Sequence, residues 1–539
     1  MNQTAASQKM PAGIPYIVAN EFAERFCYYG INAILAIYMV QHLRFPEAQA
    51  TTWQSLFKSA VYFFPLVGAI VSDVFLGKFR TIILFSLAYC AGCAILALVP
   101  GEAGLIPGLA LIALGTGGIK PCVSTNVGDQ FTEQNQHLIE RAFSWFYLSI
   151  NAGSLISILA CPVLLETSGP KWAFGVPGIA MFLATIAFWM GRKKFAVVPP
   201  AGMAWLREVL SAEGLKTIGR LSVIYFFVAF FWALWEQSNG QTWTLQAQSV
   251  LMDKRVFAFL AGLPGMAWAA DFEMLPSQIQ FVNALFILML VPVFSYGIYP
   301  AMNRFFGVTP LRKMGIGFFV AASSFLVVSW IEAQIQAGQA VSLWWQILAY
   351  AILTAAEVLV SITALEYSYK QAPLRMKSFI MALFLLSTSV GNLITAGVNN
   401  SMVRPLEAVA GESGAQTWVQ LADVSGFVTG QKIDFTGETG LTVQLANGQS
   451  QPLAGTYLVA AIDAAAGRVQ LMDVIQRQPL QTTGQFNAAQ AEVATYQLVG
   501  PQYFNFFAML MAAVGLVFMC VAVFIPEKTH VREATPEAA

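Results

Sequence analysis

The chain has 539 residues, of which 57% are hydrophobic and 11% charged. That is less than half the roughly 25% charge of a soluble domain, so charged surfaces cannot cover a chain of this length. Disordered, collagen-like and disulfide-stapled classes are excluded by the same composition, leaving a polytopic membrane protein. Lys+Arg 29 balance Asp+Glu 29, and no basic patch speaks for nucleic acid.

The N-terminus, MNQTAASQKMPAGIPY, lacks the charge-then-apolar layout of a signal peptide. About twelve segments of spanning length follow. They centre near Tyr28, Phe64, Tyr89, Ala113, Ile150 and Met181, then near Val228, Leu288, Phe325, Leu353, Leu386 and Ala513. The expected layout is a first six-helix bundle over 14–192, a basic linker over 193–218, and a second bundle over 219–400 and 500–526. With both termini inside, eighteen Lys/Arg fall in inside segments and eight in outside ones. The positive-inside rule favours that topology. Between the last two spans, at about 406–498, the chain turns polar and strand-like. LTVQLANG alternates apolar with polar residues, and TYLVAAIDAAAGRVQLMDVI reads as two strands about a Gly turn. The insertion either packs on the outer mouth or acts as a lid or a docking site for an unknown partner.

Ionisable residues inside spans are costly and mark pathways or proton relays. The first span holds Glu21, Glu24 and Arg25. Glu21 and Arg25 form an i,i+4 pair on one stripe with Tyr28 or Tyr29 and Asn32. Lys120, in the glycine-rich fourth span, needs an acidic partner, and Glu21 or Glu24 is the expected one. Glu236 ends the seventh span and Glu357 lies near the middle of the tenth. No histidine lies mid-span, so carboxylates are the expected proton carriers. The six cysteines (Cys27, Cys90, Cys93, Cys122, Cys161, Cys520) all sit in apolar runs and read as packing residues. No nucleophile–base pair, phosphate loop or metal spacing points to an enzyme.

The motifs resemble those of the proton-coupled oligopeptide transporters, a branch of the major facilitator superfamily. ExxERFxYYG stands at Glu21–Gly30, VGAIVSDVFLGKFRT at Val67–Thr81, GTGGIKPCVS with GDQF at Gly115–Phe131 and FYLSINAGS at Phe146–Ser154. FWALWEQ, WTLQAQS and LEYSYKQAPLRMKS complete the set, the C-terminal motifs looking closer to the animal di- and tripeptide transporters than to many bacterial members. The resemblance covers nearly all of the chain except the insertion. It implies an all-α membrane protein of the major facilitator fold, with 12 transmembrane helices in two six-helix bundles plus the β-rich extramembrane insertion. It further implies inward symport of di- and tripeptides by alternating access, protons as coupling ion, no cofactor, a functional monomer, and a plasma membrane location with both termini cytoplasmic.

By that resemblance Glu21, Glu24, Arg25, Lys120 and Glu357 couple protons. Arg25 and Lys120 also attract the peptide carboxylate, while Asn151, Asn283 and Glu357 hold its amino end. Tyr28, Tyr29, Tyr62, Trp232, Ser361 and Phe384 complete the substrate site. At the outer gate the chain departs from the family. Asn32 replaces an arginine that partners the seventh-helix acid, Ser55 falls where the animal transporters place a histidine, and Phe384 replaces a frequent tryptophan. Lys58 then either pairs with Glu236 or points into an outer vestibule. The competing functions are transport of another solute, such as nitrate or a drug-like molecule, and a membrane sensor that binds peptides.

Overall fold

The computed structural model describes residues 9–132, 135–196, 199–200, 210–372, 377–444 and 450–525. Of the basic residues used to orient the chain, Arg207, Arg375, Lys528 and Arg532 lie outside the described residues, as does part of LTVQLANG.

Among the described residues, twelve long helices fall on the twelve expected centres. They are α1 (Ile14–Ile37), α2 (Glu47–Ile70), α3 (Lys78–Leu98), α4 (Glu102–Asp129), α5 (Ile139–Ser168), α6 (Pro170–Met190) and α7 (Ala212–Ser238). Next come α8, running from Phe281 through a π-type turn at Phe294–Ile298 to Phe305, and α9 (Pro310–Gln336). α10 runs from Trp344 through a second π-type turn at Val358–Ile362 to Gln371, and α11 (Lys377–Ser401) and α12 (Pro501–Ala522) close the series. Eleven of them are long and apolar enough to cross a membrane. α1 falls short through its polar content, which is where the sequence places its charges. The first six helices share one buried core around Ile34, Tyr89, Ile112 and Phe174, and the last six share another around Phe231, Phe325, Tyr350 and Phe507.

Bare backbone on α4 sets the packing of the first bundle. A methyl group built on Gly117 would stand 2.1 Å from Phe64 Cβ, and one on Gly118 2.0 Å from the Phe85 ring. Only glycine lets α2 and α3 approach α4 this closely, as at other small-residue membrane interfaces. Two elements were not legible in the sequence. Between α7 and α8 a short helix, Thr242–Ala247, and several tight turns fold over the bundle end, tied by parallel pairing of Met252–Asp253 with Val341–Ser342.

The insertion forms β1 (Val403–Leu406), β2 (Ala408–Glu412), β3 (Trp418–Leu421), β4 (Lys432–Gly437), β5 (Leu441–Gln444), β6 (Ser450–Pro452), β7 (Gly455–Asp463), β8 (Arg468–Met472), β9 (Thr482–Gly484) and β10 (Ala491–Tyr496). Seven strands make one antiparallel sheet in the order β1-β10-β4-β7-β8-β3-β2, and β9-β5-β6 make a second. Val419, Ile433, Phe435, Leu441, Val459 and Leu471 fill a core of its own. The strands begin at Val403, slightly earlier than the expected limit of 406, because β1 leaves α11 with only Met402 between them.

Asp434, on β4, is buried where the insertion meets α2. Burial pushes its carboxyl up to about 7, against the opposing effects of the Thr456 and Tyr496 hydroxyls and of Lys432. The folded insertion therefore holds this proton more tightly than the unfolded chain, whose aspartates titrate near ~3.9. Its contribution is fully present below about pH 4 and is lost as pH rises through 7.

Two predictions follow from this packing. Gly117→Ala should lower the thermal unfolding temperature in detergent, since overpacking costs roughly 1–3 kcal/mol; Gly128→Ala, which meets nothing within 4 Å, should not. Exchange protection of the β4 and β10 amides, corrected for intrinsic rate, should fall between pH 5 and 8, and Asp434→Asn should abolish that fall.

Candidate functional site

Hydrogen bonds that join the two bundles cluster toward the end that carries the insertion. α2 meets α11 through Ser59–Ser389 at 2.9 Å and Asn399 Nδ2 to Thr51 Oγ1 at 3.0 Å. Gln278 reaches the Leu159 carbonyl at 2.9 Å. The seam is shut at the insertion end.

The shut end has a charged centre. Lys58 Nζ on α2 stands 2.9 Å from Glu236 Oε2 on α7, and neither side chain is exposed at all. Lys58 also donates to the Glu236 carbonyl at 3.1 Å and the Asn239 carbonyl at 2.6 Å, which uses all three ammonium hydrogens. The pairing alternative left open by the sequence is therefore the one found. Asn32 replaces a charge with an amide and bonds accordingly. It donates to Asn239 (3.1 Å to the carbonyl, 3.0 Å to Oδ1) and accepts from Gln54 at 3.1 Å. Ser55 accepts from Gln241 at 3.1 Å. Asn239, Gln54 and Gln241 were not singled out in the sequence. The polar run WEQSNGQT at the end of α7 was the available signal.

Below this layer lies the α1 cluster. Arg25 Nε is 2.7 Å from Glu21 Oε1 and 2.9 Å from Glu24 Oε2, all three residues being buried. Glu24 is the less satisfied acid. Neither oxygen accepts a well-aligned hydrogen bond, although Thr116 faces it. A buried carboxylate without hydrogen bonds is rare enough to need a functional explanation.

Lys120 departs from expectation. Among the described residues no carboxylate lies within 4.0 Å of it, so the expected ion pair with Glu21 or Glu24 is absent. Its ammonium instead sits over the Tyr62 ring at 4.3 Å and the Tyr28 ring at 5.2 Å. A cation over two aromatic faces gains up to about 2 kcal/mol, and Glu24 and Glu21 attract the amine from beyond ion-pair distance.

On the second bundle, Glu357 immediately precedes the π-type turn of α10. Such turns are frequent at functional sites. Its Oε2 accepts from Asn283 on α8 at 2.9 Å and from the Trp235 indole on α7 at 2.8 Å, while Asn283 also donates to Thr354 at 3.0 Å. Asn283 was expected beside Glu357; Trp235 and Thr354 were missed. The WALW spacing puts Trp232 and Trp235 on one face, and their rings stand 5.3 Å apart. Trp232 and Phe384 are buried, Phe384 standing edge-on to Tyr225. Asn151 donates to the Tyr147 carbonyl of its own helix at 2.8 Å. Tyr29, Tyr62, Lys120, Asn151, Asn283, Glu357 and Ser361 are all half-buried. Tyr29 lies within electrostatic reach of Arg25, Glu24, Glu236 and Glu357 together, so the charges of both bundles converge on it.

Cys27 and Cys93 touch at 3.3 Å as free thiols, and among the described residues no group of His, Cys, Asp and Glu could hold a metal.

Twelve long helices in two bundles, eleven of them apolar enough to cross a membrane, with opposed charges facing across the seam, define a multi-pass membrane protein. A family model described as POT family matches residues 79–211 and 201–419, and the chain belongs to that family. It is 35% identical over 379 residues to solute carrier family 15 member 2 of Danio rerio, covering 60% of this chain and 50% of the fish protein. It is 35% identical over 382 residues to peptide transporter family 1 of Drosophila melanogaster, covering 62% and 49%. The chain spans about half the length of the curated relatives it matches. The crystal structure of the POT family transporter PepTSo superposes with a TM-score of 0.65 at 36% identity, over 73% of this chain and 90% of that one. A crystal structure described as an auto-inhibited POT family peptide transporter superposes with a TM-score of 0.69 at 28% identity, over 97% and 99%.

The buried pair gives a direct test. Lys58→Met or Glu236→Gln alone should destabilise by about 3–5 kcal/mol through the stranded partner, and the double variant should cost no more than either. Thermal unfolding in one detergent checks this, and additive losses would contradict it.

Proposed function

We propose that this chain is a proton-coupled symporter that imports di- and tripeptides by alternating access. The observation that carries the reading is the pair of opposite poles on opposite bundles: Arg25 and Lys120 on one side, Glu357 on the other, with Tyr29 between. A short peptide is a zwitterion with amides in its middle, and it needs such a pair of poles. Glu357 accepts bonds from Asn283 and Trp235 through one oxygen, Oε2. Its other oxygen is free to take a peptide ammonium. Half-buried amide and aromatic groups around it would accept varied side chains without demanding hydrogen bonds.

Charge bookkeeping supports proton coupling. Glu21, Glu24, Arg25 and Lys120 sum to zero when all are ionised. Protonation of Glu24 leaves the cluster at plus one, which favours a peptide carboxylate. Departure of the peptide favours loss of that proton. Each ligand thereby raises the affinity for the other, as reciprocal linkage requires.

We place the insertion on the outer face and both termini in the cytoplasm, in keeping with the distribution of basic residues. The form described is then open to the cytoplasm. We further propose the plasma membrane as its location and the monomer as its working unit.

Uptake of labelled dialanine into proteoliposomes, with and without an acidic exterior, tests the reading. Gradient-driven accumulation is expected in the wild type. Glu24→Gln should lose accumulation and retain exchange. Glu357→Gln should raise the half-saturating concentration about tenfold to a hundredfold, the value of one charge-assisted hydrogen bond. Neither accumulation nor exchange across a panel of short peptides would move the substrate to another solute class.

A further inference from the structure

The insertion belongs covalently to the second bundle. One residue, Met402, separates α11 from β1, and a short stretch separates β10 from α12. Met402 is itself fixed: its amide donates to Val398 at 3.1 Å, and its carbonyl accepts from Gln497 at 2.9 Å. Val250 on the second bundle donates to the Ile475 carbonyl at 2.9 Å, and Gln336 to the Thr429 carbonyl at 3.3 Å. The insertion therefore cannot travel far from the second bundle.

Its other face grips the first bundle at one place, the connection between α1 and α2. Lys432 is 2.5 Å from Glu47, and Arg44 bonds Gln451. The start of α2 is the more telling contact. A helix leaves its first amide hydrogens without partners, and here Pro46, at the cap position, offers no side-chain acceptor. The insertion supplies both acceptors. The Thr456 hydroxyl accepts from Glu47 N at 2.9 Å, and the Tyr496 hydroxyl from Ala48 N at 3.2 Å. Thr456 in turn donates to Asp434 at 2.6 Å. The first turn of α2 is thus capped by a domain built on the opposite bundle. The cavity between Glu47, Lys432, Glu332 and Arg477 is about 100 Å³, room for a few waters, and a wider groove of about 740 Å³ runs beside it between Gln49, Trp53, Val403 and Glu492.

We propose that the insertion is a clasp that holds the transporter shut at its outer end and must release Arg44–Ala48 in every transport cycle. This rests on the alternating-access reading above. Opening the outer end separates α2 from α11, and the short tethers keep the insertion with α11. The release uncaps α2 and breaks the Lys432–Glu47 pair. The clasp therefore biases the resting protein toward the form open at the opposite end.

The experiment uses the full chain in nanodiscs, with Cys520→Ser and spin labels at Ala103→Cys and Gln339→Cys, both exposed at the insertion end. The double variant Thr456→Val, Tyr496→Phe removes the two capping hydroxyls and keeps the apolar bulk of both side chains. It should raise the long-distance fraction about tenfold, the factor that two lost hydrogen bonds carry. A second arm joins Glu47→Cys to Lys432→Cys with a short reducible thiol crosslinker. Crosslinking should abolish uptake in proteoliposomes, and reductant should restore it. An unchanged distance distribution in the double variant, or full uptake by the crosslinked protein, overturns the proposal. The distance measurement needs no substrate, so failure of the peptide reading would appear separately, as absent uptake in the wild type.

Discussion

Lys58 and Glu236 are each too costly to bury alone, and each is buried because the other stands 2.9 Å away on the opposite bundle. The closed end of the seam depends on that constraint. The Lys58 ammonium is fully used by one carboxylate and two carbonyls, and the surrounding amides of Asn32, Gln54 and Asn239 carry no charge that would compete. Separating the bundles here means hydrating both ions at once. The closed arrangement is stable only while water is kept out, which the α2–α11 contact above and around it achieves.

The central site follows a different rule. Glu24 is buried without a well-aligned hydrogen bond, Glu357 is held through one oxygen only, and Lys120 rests on aromatic rings. Lys58 by contrast spends all three ammonium hydrogens, while its partner Glu236 is held, like Glu357, through Oε2 alone. Incomplete satisfaction is what a binding site requires, since a fully paired charge gains nothing from a ligand. The same sequence thus builds two polar layers within a few helical turns, one that ties the bundles together through Lys58 and one whose cation rests on aromatic rings.

Much of this was readable in the amino-acid sequence. The twelve spans, the Glu21–Glu24–Arg25 cluster and the grouping of Asn283 with Glu357 at one pole follow from apolar length, helical spacing and motif resemblance. The partner of Lys120 was not, because charge alone points a buried amine toward a carboxylate. The rings of Tyr62 and Tyr28 satisfy it by a contact that depends on three helices meeting. Trp235 was passed over because an indole in an apolar run looks like packing until its nitrogen is seen against Glu357. The folded segment between α7 and α8 has no periodicity to betray it. The insertion's strands were partly visible, but their seating on α2 depends on tertiary placement that local pattern cannot encode.

The capping of α2 by Thr456 and Tyr496 bears on how such an insertion can be gained or lost. A helix start that ends in Pro46 with no acceptor of its own is incomplete without its neighbour. A shortened protein would need a serine, threonine, aspartate or asparagine ahead of Glu47 to replace what the insertion lends. The insertion and the first bundle therefore depend on each other for a complete helix start, although they share neither a hydrophobic core nor adjacent stretches of chain.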